Sequence, residues 1–365
     1  MYFTEITLVN FKNLQIENFS VGRGMYFIVG ENGAGKTNFL DAVYYCGMTK
    51  SWFHHTDKEI FNYDQSYFRL KAVIQSDQSH ELKVKVLSGL QKEISFDDKV
   101  YQKNADHIGR IPVIMIAPDD IFAFSQDSEN RRRFLNHSLV QFDHRYLFHL
   151  LEYNKYLKQR NASLRAQKKN QKIDHALLDI YDEKLIFHGI PIYEKRKELV
   201  KSILPLYIEF SRKISDGKQD SLLEYVSDLD RDFPQQLSQS REKDYFSLRT
   251  NVGVHKDQFE PIFQNYKLRV QGSQGQMKTA LLALKLAQYR LLATRLHTTP
   301  VFLLDDIFSK LDRNRVMQLV QLIADEKIDQ CFITDTDIER SREVSQSLSG
   351  KVFYIQMVDG KLNSL

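Results

Sequence analysis

Eight consecutive residues, Gly30-Glu31-Asn32-Gly33-Ala34-Gly35-Lys36-Thr37, have the types and spacing to hold the phosphates of a nucleotide. The pattern is glycine, four residues, glycine, lysine and a hydroxyl. Glycines let the backbone wrap so that N–H groups point at phosphate oxygens, and a helix opening there adds the positive end of its dipole. In that chemistry Lys36 reaches the β- and γ-phosphates of ATP and Thr37 gives its hydroxyl to Mg²⁺. A second set is Asp305-Asp306, which follows the apolar run Val301-Phe302-Leu303-Leu304. Four apolar residues and then an acid describe a buried strand presenting a carboxylate at its C-terminal end. Asp305 is placed to hold Mg²⁺ through water, and Asp306 to act as the catalytic group that orients an attacking water.

Ser273-Gln274-Gly275-Gln276 stands just before a helical stretch and resembles the signature motif of ABC-type ATPases. There a serine and helix N-terminal N–H groups meet the γ-phosphate held by a second subunit. Ser309-Lys310-Leu311-Asp312 resembles the D-loop of the same proteins, so Ser309 and Asp312 join the site. Four motifs in this order specify far more than any one of them.

Other charged residues are less specific. Residues 155–172 carry seven Lys or Arg and no acid. Arg160, Arg165, Lys168, Lys169 and Lys172 of this run are candidates for contact with a phosphate backbone, with a solvated helix face as the bland alternative. Arg131-Arg132-Arg133 is a similar candidate. His54 and His55 beside Trp52 lack the carboxylate or Cys spacing of a metal site. Cys46 and Cys331, the only two cysteines, lie in apolar runs and read as buried reduced thiols. The net charge of +4 leaves any nucleic-acid binding to local patches. The N-terminus lacks the pattern of a secretion signal, and no apolar run has the length of a membrane span. The expected location is the cytoplasm.

The elements that must position these residues follow from periodicity. TEITLVNF alternates apolar and polar residues, and MYFIVG is a continuous apolar run leading into the glycine loop. Residues 66–100 read as antiparallel strands, and IPVIMIAP as a buried strand ended by Pro118. Residues 131–165 read as a long helix, and 174–214 as a pair of helices interrupted near Gly189 and Pro191. YKLRV reads as a strand, KTALLALKLAQYRLLATRLH as a helix, and PVFLLDD and QCFITDTD as further strands. The expected fold is α/β: an ABC/SMC-like P-loop ATPase lobe made of 1–125 and 250–365, with a mainly helical lobe, 126–249, inserted between them. The insert lacks the sustained heptads of a long coiled coil.

With these residues in place the chain resembles the RecF family, recombination-mediator ATPases related to SMC proteins. The resemblance rests on Leu8-Val9-Asn10-Phe11-Lys12-Asn13, on Ala117-Pro118-Asp119-Asp120-Ile121, and on Arg131-Arg132-Arg133-Phe134-Leu135. Gln159-Arg160-Asn161, Val254-His255-Lys256-Asp257, Ser273-Gln274-Gly275-Gln276 and Leu304-Asp305-Asp306 add to it. Lys12 stands where the family often has Arg. Phe332-Ile333-Thr334-Asp335-Thr336 lies where ABC relatives carry a switch histidine that this chain lacks. The resemblance implies ATP and Mg²⁺ as cofactors, an ATP-dependent homodimer, and binding to gapped DNA or single-strand/double-strand junctions. It also implies RecR- and RecO-type mediators as partners, recombinase loading, and slow, DNA-stimulated hydrolysis used as a release switch. Asp306, one methylene shorter than Glu, suits such a timer. Two alternatives are the nucleotide-binding subunit of an ABC transporter and that of a DNA-associated nuclease system. Against the first stand the long insert and the missing histidine; against the second, the short stretch after the D-loop.

Overall fold

The computed structural model describes residues 1–169, 171–346, 348 and 350–364. These divide into two compact units. The first comprises Met1–Phe122, Phe210–Lys218 and Leu281–Leu365, and the second Ala123–Glu209 and Gln219–Ala280.

The first unit holds two six-stranded sheets. One is antiparallel, in the spatial order Leu14–Ser20, Tyr2–Phe11, Tyr67–Gln75, Ser79–Leu87, Glu93–Phe96, Lys99–Val100. Its strands alternate: Phe68, Leu70, Ala72 and Ile74 point into the core and their neighbours do not. The other runs Lys361–Ser364, Val352–Val358, Gly24–Val29, Gln330–Asp335, Val301–Leu304, Val113–Ile116. All its pairs are parallel except the terminal hairpin. Its inner strands are buried on both faces, which is why they read as unbroken apolar runs. The helix Lys36–Met48 leaves the strand Gly24–Val29 through the glycine loop. Phe39 on this helix meets Phe19 of the antiparallel sheet at 4.9 Å and Phe332 of the parallel sheet at 5.5 Å, both edge-on. One aromatic residue thereby fixes the helix to both sheets.

The second unit is built on the helices Ser128–Leu139 and His144–Lys169, with a three-stranded antiparallel sheet. The helix His175–Ile214 is continuous for 40 residues, with Pro191 and Pro205 inside it, so the expected break does not occur. Packing explains Gly189: a Cβ there would meet the Tyr153 and Phe233 rings at 3.3 and 3.4 Å. The glycine permits close approach rather than a turn. The second unit also reaches Ala280 rather than stopping at residue 249. The strand Gln258–Phe263 pairs with Ser221–Val226, and Asp257 accepts hydrogen bonds from Arg196, Ser227 and Tyr225. Those bonds tie the 250–267 segment to this unit's own helices. YKLRV is a strand only at Tyr266–Lys267 and then becomes the helical turn Leu268–Gln271. Cys46 and Cys331 are buried free thiols. Among the described residues no helix is long and apolar enough to cross a membrane.

Two buried histidines add an acid-sensitive element. His255 lies between Tyr153 (Nδ1, 2.8 Å) and the Thr250 carbonyl (Nε2, 3.0 Å). His107 bonds the Cys46 carbonyl at 2.7 Å. Burial pulls both pKa values down to about 4. The unfolded chain therefore binds protons below about pH 6.5 that the folded chain refuses until about pH 4. Stability is present in full above pH 6.5 and falls with acidification, by about 1.4 kcal/mol per pH unit per histidine. Urea midpoints at pH 7.5 and pH 5 measure this, and equal midpoints would exclude it.

Candidate functional site

The glycine loop is held from two sides of the first unit. Gly30 lies so close to the strand Val352–Val358 that a Cβ would sit 2.3 Å from the Met357 carbonyl oxygen. Gly35, at φ 111°, caps the helix start in a left-handed conformation that favours glycine. Asn13 donates to the Gly33 carbonyl at 3.3 Å and accepts from Asn38 at 2.7 Å. Gly360 N donates to the Ala34 carbonyl at 2.9 Å. Asn13, at the end of the family-like opening segment, is thus a brace of the loop. The turn before it is fixed by Lys12, whose ammonium pairs with buried Asp41 at 2.7 Å.

Lys36 is buried and folds onto its own loop, donating to the carbonyls of Gly30 at 2.6 Å and Glu31 at 2.8 Å. Burial lowers its pKa, and the nearby carboxylates of Asp306, Asp305 and Asp335 oppose that shift. Thr37 donates from Oγ1 to the Asp305 carboxylate at 2.9 and 3.0 Å. Thr334 donates to Asp305 Oδ1 at 2.8 Å, and its hydroxyl oxygen accepts from Asp306 N at 2.9 Å. Asp305 is itself pinned by its N–H to the Ile116 carbonyl. Burial raises the Asp305 carboxyl pKa, while the hydrogen bonds from Thr334 and Thr37 draw it back. Asp306 accepts from Ser309 Oγ through Oδ2 at 3.0 Å, and its Oδ1 is buried with no hydrogen-bond partner among the described residues.

These groups fit a nucleotide with Mg²⁺. Thr37 and Asp305 are hard oxygen donors already side by side. The unpaired Asp306 Oδ1 is an acceptor with capacity for a water. Sequence reasoning groups Thr37, Asp305 and Asp306 and misses Thr334. Its signal is its position, at the end of the strand beside Val301–Leu304, but only the strand order makes it a neighbour.

The remaining residues fall elsewhere. Ser273 and Gln274 are exposed at the start of the helix Gln274–Leu296. Ser273 N donates to Gln276 Oε1 at 2.8 Å and Ser273 Oγ accepts from Gln276 N at 3.2 Å, a reciprocal capping arrangement. Gly275 lies within the first turn. Asp312 caps the helix Arg313–Asp325 through Arg315 N. Glu31, Asn32 and Gly33 are exposed on the loop, and Ala34 is half-buried.

The basic run divides. Arg165, Lys168, Lys169 and Lys172 are exposed; Asn170 lies outside the described residues. The Lys168 ammonium sits over the Tyr245 and Phe246 rings at 4.6 and 4.7 Å. Arg160 is a correction. It is fully buried, with Nε on Asp182 and Nη1 on Asp244, each at 2.7 Å, so it is a core ion pair with no access to DNA. Arg131 is similar: it is 3% exposed and bonds Glu260 at 2.9 Å. Arg132 donates to the Asp257 carbonyl. Among the described residues no group of three or more His, Cys, Asp or Glu side chains gathers that could hold a metal ion.

The parallel sheet, the braced glycine loop and the paired acids at the end of the strand Val301–Leu304 define an ABC/SMC-type P-loop ATPase lobe. A family model described as RecF/RecN/SMC N terminal domain matches residues 2–358. The chain is 38% identical over 361 residues to the DNA replication and repair protein RecF of Cytophaga hutchinsonii, covering 98% of this chain and 95% of that one. This chain belongs to the RecF family. It is also similar to a solved structure of the recombination mediator protein RecF with ATP in the RecFOR pathway. The TM-score is 0.88 at 28% identity, covering 100% of this chain and 97% of that one. The Smc head domain of Pyrococcus furiosus matches at a TM-score of 0.57 and 17% identity, over 100% and 96% of the two chains, a likeness of fold alone.

Proposed function

We propose that this chain is an ATP-gated DNA-binding switch of replication and recombinational repair. It binds ATP with Mg²⁺, dimerises on gapped DNA or at single-strand/double-strand junctions, and promotes recombinase loading with RecR- and RecO-type mediators. Slow hydrolysis releases it.

The observation that carries this reading is Lys36 folded onto its own loop, with the bonded pair Thr37 and Asp305 beside the Asp306 Oδ1 that has no partner among the described residues. It supplies the loop side and the metal side of a nucleotide site. The exposed Ser273, at a helix start, is suited to supply the far side of a γ-phosphate in a second copy. Mg²⁺ neutralises charge on the β- and γ-phosphates when bound. Thr37 and Asp305 hold its position, Lys36 leaves its two carbonyls to meet phosphate oxygens, and Asp306 orients the attacking water. A site completed only by two chains makes ATP a joint between them, and cleavage of ATP undoes the joint. The RecF family names and the ATP-bound relative support the same reading.

Sedimentation velocity tests it. Saturating ATP and Mg²⁺ should convert monomer to dimer, and gapped DNA should shift the dimer further. A chain that stays monomeric and ignores DNA at low salt contradicts the proposal. Ser273→Arg should keep monomer ATP affinity within about twofold while abolishing the dimer, because the bulky cation stands where the second chain's phosphate must approach. Dimerisation that survives this change removes the signature from the site. For DNA, replacing Lys168, Lys169 and Lys172 by Gln should flatten the plot of log affinity against log salt, by up to ~0.9 for each phosphate no longer neutralised. An unchanged slope returns these lysines to the solvated face of the helix.

A further inference from the structure

A cavity of about 320 Å³ opens in the first unit at the end of the parallel sheet opposite the glycine loop. It is bounded by the beginnings of three adjacent strands, Gly24–Val29, Gln330–Asp335 and Val352–Val358, and by the turn after the helix Arg313–Asp325. Ligands of open α/β sheets bind outside the carboxyl ends of the strands, which here is the glycine-loop end. The strand Gly24–Val29 alone separates the two ends by roughly 20 Å. Nucleotide chemistry makes no use of this cavity.

Its lining combines two properties. Met25, Ile328 and Val352 give an apolar wall. Arg23, Lys327 and Lys351 stand exposed around it. Asp329 is the single carboxylate among the lining residues, and it is already engaged, accepting from Thr299 Oγ1 at 2.6 Å and facing Arg23 at 3.5 Å. Lys327 and Lys351 make no ion pair among the described residues. The rim thus has a surplus of positive charge over an apolar floor. The volume is at the bottom of the range for pockets that bury a drug-sized molecule. It has room for one large side chain.

We propose that this cavity docks an acidic peptide segment of a partner protein. One large apolar side chain enters between the strand ends as the anchor, and flanking carboxylates lie against Arg23, Lys327 and Lys351. The apolar floor selects the anchor and the cations set its register and speed its arrival. A nucleic acid is a poor match, since its backbone has no apolar side chain to bury.

The test uses the full chain and a fluorescein-labelled hexapeptide, Asp-Glu-Asp-Glu-Asp-Phe, followed by fluorescence anisotropy at 50 mM salt. Saturable binding is expected, at least tenfold weaker when the peptide's Phe is replaced by Ser. Lys327→Glu with Lys351→Glu should weaken binding at least tenfold, and so should Ala324→Trp, which fills the cavity without changing charge. Lys103→Glu, an exposed change elsewhere in the same unit, should leave it unaltered. ATP affinity and the thermal midpoint should not move in the charge-reversed protein, which separates loss of the site from loss of the fold. Absence of binding overturns the proposal. So does binding that ignores the Phe, the filled cavity or the two lysines, or that falls equally with Lys103→Glu.

Discussion

Lys36→Ala should lower ATP affinity by about 100-fold or more, while changing thermal stability by less than about 0.5 kcal/mol. Both halves follow from the geometry. The ammonium is the charged donor closest to the phosphate position, and a charge-assisted hydrogen bond contributes about 1.5–3 kcal/mol. Lys36 makes two such bonds within its own loop, to the carbonyls of Gly30 and Glu31, and in the proposed site it would exchange them for phosphate oxygens. The fold loses little without it because Glu31 is exposed and Gly30 only half-buried, so water can replace the donor. Calorimetric titration with ATP and Mg²⁺, set beside a thermal melt, reads the two quantities separately. Tight ATP binding by the variant would falsify the phosphate role of the loop.

Arg160→Ala should act in the opposite way, destabilising the second unit by about 3–5 kcal/mol. Arg160 lies between Asp182 and Asp244 and also donates to Thr250 Oγ1 at 2.9 Å. Removing it leaves buried carboxylates facing each other without their cation. Arg241 still holds Asp182, so the greater penalty falls on Asp244. Lysine is a poor substitute because one ammonium cannot span both acids in the guanidinium's planar geometry. Arg165→Ala, five residues along the same helix and exposed, should stay within about 0.5 kcal/mol. Urea denaturation of the two variants decides the matter: equal stability would place Arg160 at the surface.

That contrast shows where the sequence stops informing. The phosphate loop, the apolar strands and the paired acids are local patterns, each written within ten residues, and the structure brings Gly30–Thr37 together with Asp305 and Asp306. Arg160 and Arg165 are indistinguishable in such a window. The approach of Asp182 and Asp244, 22 and 84 residues away, separates them. Thr334 is likewise visible as a residue but not as a neighbour of Asp305, because strand order rather than spacing sets that contact. Gly189 and Pro191 read as a helix break from intrinsic preference, yet burial of His188, Gly189 and Ile192 overrides preference. The boundary at 249 fails for a related reason. A change in composition marks where helices end, but strand pairing decides which unit a segment joins, and Gln258–Phe263 pairs with Ser221–Val226.

Asp306 has one further property, its backbone. It sits at φ 40°, in the left-handed region, where Asp and Asn are tolerated and longer or branched side chains are strained. The conformation therefore restricts which acids evolution can try there. A move to Glu would lengthen the side chain by one methylene but would carry a conformational penalty at that φ. A move to Asn would keep the backbone and discard the charge. In the proposed switch the lifetime of an ATP-joined state would be set partly by a main-chain torsion, and a clock set by a torsion is hard to speed up by changing a single side chain.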